Sequence, residues 1–274
     1  MILLSLLLVL GLERIISKSP LWCFEHYFSL YVGWLKKRGW LMDDSPTWML
    51  ALQILTPVVV LQLLLNLLDS SFIQFAINTL VLAICVGCPQ LRVAYKQYLQ
   101  AANRGDTQAC VHYADELGHE PERDMSVGQT LMWINYRYYG AVMLWFAVFG
   151  PAGALLYVLS RNMLIYMEGE SPEHVGLAHD LVKILDWVPV RITTLGFVFM
   201  GHYSKAFPMW LSYLANTKDS ALKVLSDISK AAEECPNNEL DLTQEPCALV
   251  SLAKRNITFI TVVIAVFTLM GWVD

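Results

Sequence analysis

The chain has 274 residues, of which 56% are hydrophobic and only 16% are charged, and its formal net charge is −5. Soluble domains carry about 25% charged residues, so this composition excludes an ordinary soluble domain and indicates an integral membrane protein. The negative net charge argues against nucleic-acid binding. Because no linker rich in Gly, Pro or Ser divides the chain, residues 1–274 are predicted to form a single membrane domain.

Five apolar segments predict membrane-spanning helices, since a helix needs about 20 apolar residues to cross a bilayer. The first, 1–16, is short, but it lacks the basic start and the cleavage site of a signal peptide and is interpreted as a retained helix. The remaining predicted spans are 47–67, 72–88, 140–160 and 257–273. The sequence therefore predicts an all-α, polytopic integral membrane protein with four to five transmembrane helices.

The spans 47–67 and 72–88 are so close in the chain that they predict a tight antiparallel hairpin. The segments on both sides of this hairpin carry basic residues, and the positive-inside rule places such segments in the cytoplasm. Apolar residues at helical spacing in 91–102 and 222–232 further predict that the cytoplasmic segments are helical. Most loops are thus expected to be cytoplasmic. The basic residues are Arg14, Lys18, Lys36, Lys37, Arg38, Arg92, Lys96 and Arg104.

Two membrane topologies are possible for the chain after residue 140. Basic residues also favour a cytoplasmic location for 204–256, so the chain has to return to that side. It can do so by a short crossing at 192–203. Alternatively, Gly150-Pro151 breaks the helix, and two half-helices form a re-entrant segment whose irregular backbone is buried in protein.

The stretch LDWVPVRITT at 185–194 carries the strongest candidate site. Val188 precedes Pro189 and is biased away from helical geometry, which predicts that one helix ends there and a new one begins. Arg191 would lie in the first turn of the new helix, where the helix dipole disfavours a cation. We therefore expect an anion nearby: Asp186, Asp180, or a lipid or ligand phosphate. An interfacial Asp–Arg anchor and an anion-recognition corner are both consistent with this pattern.

Asn135 and Arg137 precede the 140–160 run, and Arg161 follows it. These residues are either part of an interfacial belt of Trp and Tyr with snorkelling Arg side chains or polar walls of the same anion site. If Gly150-Pro151 is re-entrant, Arg137 and Arg161 reach the same face. No metal or cofactor is expected, since the chain lacks phosphate-binding loops, Ser/His/Asp sets and zincin motifs.

Several stretches together resemble the AmpE family of inner-membrane proteins, which is associated with β-lactamase induction in Gram-negative bacteria. This family lies within the wider CbiB/CobD cobalamin-biosynthesis family. The matching stretches are LLVLGLER at 7–14, YLQAANRGD at 98–106, LMWINYRYY at 131–139, LDWVPVRIT at 185–193, GHYSKAFPMW at 201–210 and SLAKRN at 251–256. The resemblance implies a multi-pass protein of the bacterial inner membrane.

The resemblance also separates two functions. The synthase branch of the wider family uses ATP to join an aminopropanol-type group to a corrinoid carboxylate. It has one acidic residue before the Asn that matches Asn135 and another soon after it, where this chain reads Ile134, Asn135, Tyr136, Arg137 and Tyr138. It also has a pair of acids where this chain has Val182 and Lys183. Carboxylates are needed to hold Mg²⁺ with ATP. The resemblance therefore implies a non-enzymatic sensor that influences β-lactamase induction, with a cell-wall-derived or nucleotide ligand. The alternative is an ATP-dependent corrinoid amide synthase.

Overall fold

The computed structural model describes residues 1–15, 22–40, 47–120, 125–170, 175–214, 216, 219–233 and 242–272. These residues form twelve α-helices and a π-helical segment, Tyr136–Gly140, and no strand occurs among them. The predicted all-α fold is confirmed. The helices are α1 (Ile2–Ile15), α2 (Phe24–Lys37), α3 (Thr47–Asn66), α4 (Ser71–Cys85), α5 (Pro89–Asn103), α6 (Thr107–Glu116), α7 (Val127–Asn135), α8 (Ala141–Glu170), α9 (Gly176–Met200), α10 (Tyr203–Leu214), α11 (Ala221–Ala232) and α12 (Gln244–Leu269).

Three to four helical stretches in the described part of the chain are candidates to cross a membrane. Trp48–Asn66, Val127–Glu170 and Gln244–Leu269 are long and apolar enough by themselves. The fourth would be α4 together with α5, a pair bent by 42°. The apolar part of α1, Ile2–Glu13, is shorter. A polytopic membrane protein is thus confirmed, with fewer candidate spans than the upper predicted number of five.

The chain divides into two compact units. Unit 1 comprises Met1–Gly87, Ala141–Asp186 and Ile264–Asp274, and unit 2 comprises Cys88–Gly140 and Trp187–Val263. The single domain over 1–274 stays a prediction.

Helix α8 is the centre of unit 1, because α1, α2, α3 and α4 all pack against it. Residues 67–70 join α3 to α4, and Gln74 Nε2 donates to the carbonyls of Leu65 (3.3 Å) and Leu68 (2.7 Å) at the end of α3. The predicted hairpin therefore has its short connection, but α3 packs mainly on α8, and α4 packs on both α1 and α8, rather than the two helices packing on each other.

Short helix pairs build unit 2. Helix α5 packs on α6, α10 packs on α11, and α11 also contacts α7. Tyr98 and Ala101 of α5 meet Cys110 and Ala114 of α6 in a buried cluster. The predicted helices over 91–102 and 222–232 are therefore confirmed as α5 and α11, with their apolar faces buried.

Helix α8 is broken at Gly150, which has the non-helical angles φ 63° and ψ −151° and is followed by Pro151. A Cβ added to Gly153 would lie 2.3 Å from the carbonyl oxygen of Trp145. In a straight helix, residues eight positions apart are separated by about 12 Å. The two parts of α8 therefore turn sharply and touch, which agrees with the predicted break. A re-entrant path through the membrane stays a prediction.

The predicted boundary at Val188–Pro189 is wrong, because α9 continues from Gly176 to Met200 with Pro189 inside it. Residues 192–200 belong to α9 rather than to a separate helix, and α10 begins at Tyr203. A crossing at 192–203 stays a prediction. Ser171-Pro172 also predicts a helix start, with Ser as the N-cap and Pro at the first helical position, but these residues lie outside the described part of the chain.

A tertiary hydrogen bond compensates for Pro189. Proline has no N–H, so the carbonyl four residues earlier, that of Leu185, loses its helical donor. The indole Nε1 of Trp145 donates to this carbonyl at 3.2 Å. Helix α3 repeats the arrangement, because Pro57 deprives the Gln53 carbonyl of its donor and the hydroxyl of Tyr31 donates to it at 2.8 Å.

We expect Tyr31→Phe to lower the free energy of unfolding by about 1–3 kcal/mol, the usual cost of leaving a buried polar group unsatisfied. The phenyl ring preserves the packing, so the loss reports the hydrogen bond to Gln53. Unfolding in mixed micelles measures it. Tyr27→Phe is the matched control, because Tyr27 lies on the same helix but is exposed. Equal stability of the two variants would contradict the assignment.

Candidate functional site

Arg191, in the second half of α9, binds the carbonyl end of α10. Its Nη1 donates to the Trp187 carbonyl at 2.9 Å and its Nη2 to the Asn216 carbonyl at 2.6 Å. Longer hydrogen bonds join Nη2 to the carbonyl of Tyr213 (3.4 Å) and Nε to that of Leu214 (3.3 Å). Tyr213 and Leu214 are the last residues of α10, so the guanidinium serves as a C-terminal cap.

Two tryptophans hold Arg191 in this position. The guanidinium carbon lies 4.2 Å from the centroid of the Trp187 ring, and Trp210 Nε1 donates to the Arg191 carbonyl at 3.1 Å. The C-terminal end of a helix carries partial negative charge. The expected anion is therefore supplied by α10, and the contacts of Arg191 do not include the predicted partners Asp186 and Asp180.

Polar contacts link the end of α10, beside Arg191, to α11 and to the residues just before it. The hydroxyl of Tyr213 donates to Asp227 at 2.5 Å. This hydrogen bond, with burial and the nearby carboxylates of Asp227 and Asp219, raises the pKa of Tyr213 to about 12. The hydroxyl therefore remains a donor at neutral pH. Lys223 Nζ lies 3.0 Å from Asp219. These contacts favour the interpretation of Arg191 as a structural anchor.

Unit 1 holds a buried polar cluster on α8 and α9, which we call the Tyr157 cluster: Tyr157, Arg161 and Asp186. The Tyr157 hydroxyl donates to Asp186 at 2.9 Å. Arg161 follows Tyr157 by four residues, so both side chains lie on one face of α8. Arg161 and Asp186 are only 1% and 3% exposed. Two predicted site residues are therefore parts of one buried cluster.

Helix α2 contributes a third charge near this cluster, because Arg161 Nη2 lies 4.0 Å from Glu25 Oε1. The Nδ2 atom of Asn162 is buried and has no hydrogen-bond partner in the described part of the chain. Buried charged side chains in membrane helices are costly and mark functional sites by default. The Tyr157 cluster is therefore the better candidate site of the two.

The other predicted residues lie elsewhere. Asp180 is an exposed residue of α9, 4.0 Å from Nδ1 of His179. Asn135 ends α7 and is half-buried. Arg137 lies in the π-helical segment with its guanidinium carbon 5.4 Å from the Trp133 ring centroid. This last contact fits the predicted aromatic belt. Arg137 and Arg161 belong to different units.

Gly140, Thr193 and Asn256, which lie in or next to three of the family-like stretches, come close together in unit 2. Asn256 Nδ2 donates to the Thr193 carbonyl at 3.2 Å. A Cβ on Gly140, at the end of the π-helical segment, would lie 3.4 Å from Thr193 Oγ1. A Cβ on Gly196 would overlap Asn256. The available sequence signal for these contacts was Asn256, a single polar residue directly before the apolar run 257–273.

No group of three or more His, Cys, Asp or Glu side chains suited to a metal ion occurs among the described residues. His112 and Glu116 form an exposed pair with 3.5 Å between Nε2 and Oε1. His119 lies apart from them, with its Nδ1 3.1 Å from the hydroxyl of Thr130. The i, i+4 and i+7 spacing of these residues would place them on one helix face, but in the structure their side chains do not meet at one point.

The similarity to known proteins extends over almost the whole chain. The chain is similar to the protein named "Protein AmpE" of Shigella flexneri, with 28% identity and coverage of 99% of each chain. No solved structure matches it. The family model described as "Regulatory signalling modulator protein AmpE" matches residues 1–273. A family match of this extent, together with a membrane-type all-α fold, means that the chain belongs to the AmpE family of regulatory signalling modulators.

Proposed function

We propose that the protein is a multi-pass sensor of the bacterial inner membrane that modulates β-lactamase induction during β-lactam or cell-wall stress. The observation that carries the proposal is the match of residues 1–273 to the family of regulatory signalling modulators. Its loops are proposed to be mostly cytoplasmic. Its ligand is proposed to be a cell-wall-derived fragment or a nucleotide.

The proposal includes the absence of catalysis. Binding of Mg²⁺ with ATP requires carboxylates that hold the metal and offset the phosphate charge. The stretch in which the synthase branch carries acids on both sides of the Asn reads Ile134, Asn135, Tyr136, Arg137 and Tyr138 here, and the acid pair upstream of its Pro-x-Arg motif is replaced by Val182 and Lys183. None of these residues is a carboxylate, so the stretch supplies no ligand of the kind that Mg²⁺ requires. These replacements support a signalling protein on a scaffold shared with the ligases.

The Tyr157 cluster is the proposed sensing element. Its carboxylate, guanidinium and hydroxyl groups are withdrawn from water on helices α8 and α9. A change in their pairing would alter the packing of α8, on which the other helices of unit 1 rest. Arg191 is instead proposed to be structural, since its guanidinium is occupied by carbonyl groups.

Deletion of the gene should change β-lactamase activity severalfold after exposure of a strain with an inducible β-lactamase to a sub-inhibitory β-lactam. Plasmid-borne wild-type protein should restore the response, and Arg161→Gln should not, although it reaches the membrane in normal amounts. Lys183→Gln, a change on the exposed side of α9, is the matched control and should restore it. Unchanged induction in the deletion strain would refute the proposal. Restored corrinoid synthesis in a synthase-deficient strain would refute its non-enzymatic part.

A further inference from the structure

Helix α2 has apolar side chains on two different faces. Phe24, Val32 and Leu35 are buried, and the helix packs against α8. Tyr27, Leu30 and Trp34 are exposed. These three residues are spaced by three and four positions, so they form a continuous stripe.

A helix with this pattern suits a membrane interface. Helix α2 has 14 residues, and at about 1.5 Å per residue it is about 21 Å long, short of the roughly 30 Å hydrocarbon core. It therefore cannot span the bilayer alone. A short helix that buries one apolar face in protein and exposes another is suited to lie in the interface plane, with its exposed stripe against lipid.

The last turn of α2 adds positive charge to this stripe. Lys36 is neutralised by Glu170, with 3.3 Å between Nζ and Oε2. Lys37 and Arg38 are exposed, and neither forms an ion pair with another described residue. Lys37 also follows Leu30 and Trp34 by seven and three positions, which places it at the edge of the apolar stripe.

Two indole rings position the guanidinium of Arg38. Its carbon lies 4.8 Å from the Trp34 ring centroid and 5.9 Å from that of Trp40. The two rings pack edge to face with their centroids 5.5 Å apart. A cation–π contact of this kind leaves the N–H groups that do not face the rings able to donate to a phosphate. Trp side chains also favour the headgroup level of a bilayer.

We propose that the surface formed by Tyr27, Leu30, Trp34, Lys37, Arg38 and Trp40 binds an anionic phospholipid. Lys37 and Arg38 contact the headgroup phosphate, and the apolar stripe of α2 contacts the acyl chains. A cationic cluster beside an exposed apolar stripe matches both parts of a lipid molecule, whereas a free phosphate or an acidic peptide would use the cations alone. Basic segments next to the membrane are attracted to anionic lipids in this way.

Native mass spectrometry of the full-length protein, released from non-ionic detergent, tests the proposal by counting retained lipids. The wild-type protein should retain phosphatidylglycerol in preference to phosphatidylcholine. The double variant Lys37→Gln/Arg38→Gln should lose the preference. Lys37→Arg/Arg38→Lys, which preserves both charges, should keep most of it and shows that the effect is one of charge rather than of folding.

The matched control is Lys230→Gln/Lys254→Gln, which removes the same charge from exposed positions of α11 and α12 and should bind lipid as the wild type does. An unaltered preference in Lys37→Gln/Arg38→Gln would overturn the proposal. Equal loss in both double variants would also overturn it, since the preference would then follow net charge. Displacement of phosphatidylglycerol by millimolar inorganic phosphate would identify a phosphate site rather than a lipid site.

Discussion

Replacement of Gly153 by alanine is expected to lower the free energy of unfolding by about 3 kcal/mol, the upper end of the usual cost of overpacking a core. The new Cβ would lie 2.3 Å from the Trp145 carbonyl oxygen and 2.7 Å from Phe149 Cβ. The first of these neighbours is backbone, so the two parts of α8 would have to separate. Because α1 to α4 pack on α8, the disturbance would extend through unit 1.

Unfolding of detergent-solubilised Gly153→Ala in mixed micelles provides the measurement, and Gly33→Ala is its control. Gly33 is also helical, but a Cβ there would meet nothing within 4 Å. Alanine is favoured over glycine in helices by about 0.5–1 kcal/mol, so the control is expected to be neutral or slightly stabilised. If Gly153→Ala behaved like Gly33→Ala, the sharp turn at Gly150 would be wrong.

Arg191→Ala is expected to destabilise the protein by about 3 kcal/mol, because hydrogen bonds to a charged group contribute about 1.5–3 kcal/mol each and are not additive. The truncation leaves the carbonyls of Tyr213 and Leu214 without their cap and removes the stacking on Trp187. Arg191→Lys should recover only part of the loss, since an ammonium group cannot reproduce the planar fork.

A double-mutant cycle with Asp186→Asn separates this cap from an Asp–Arg pair. Asp186 accepts from Tyr157, whereas Arg191 contacts carbonyl groups and Trp187. Independent sites add within about 0.5 kcal/mol, so the double variant should show the sum of the two effects. If the double variant lost clearly less stability than the sum of the two single variants, a direct interaction between Asp186 and Arg191 would be supported instead.

The all-α fold and the approximate positions of the apolar helices were predictable, because a long run of apolar residues favours a helix buried in lipid or protein. The span predicted at 47–67 corresponds to α3, Thr47–Asn66. The break at Gly150 was also predictable, since glycine and proline act through local geometry. The continuity of α9 was not, because the steric bias before Pro189 is local while the indole of Trp145 that stabilises the helix is 40 residues away.

The candidate site was predictable in part. Arg161 and Asp186 are conspicuous as charges beside apolar runs, but Tyr157 in an uncharged run is indistinguishable from a packing residue until Asp186 is placed beside it. Arg191 was recognised as a cation that needs negative charge. The source of the negative charge was not predicted. It is the backbone carbonyls at the end of α10, and every residue type has a carbonyl, so the sequence does not show where a helix end meets Arg191.

The hydrogen bonds that compensate for Pro57 and Pro189 have a consequence for biosynthesis. Tyr31 precedes Pro57, and Trp145 precedes Pro189, so each donor is synthesised before the helix whose carbonyl it serves. A ribosome makes the chain from its N-terminus, and an unsatisfied carbonyl costs several kcal/mol in hydrocarbon. Each of these helices can therefore find its donor as soon as it is synthesised, and a permuted gene that reversed this order would leave the carbonyls of Gln53 and Leu185 without their donors until later in synthesis.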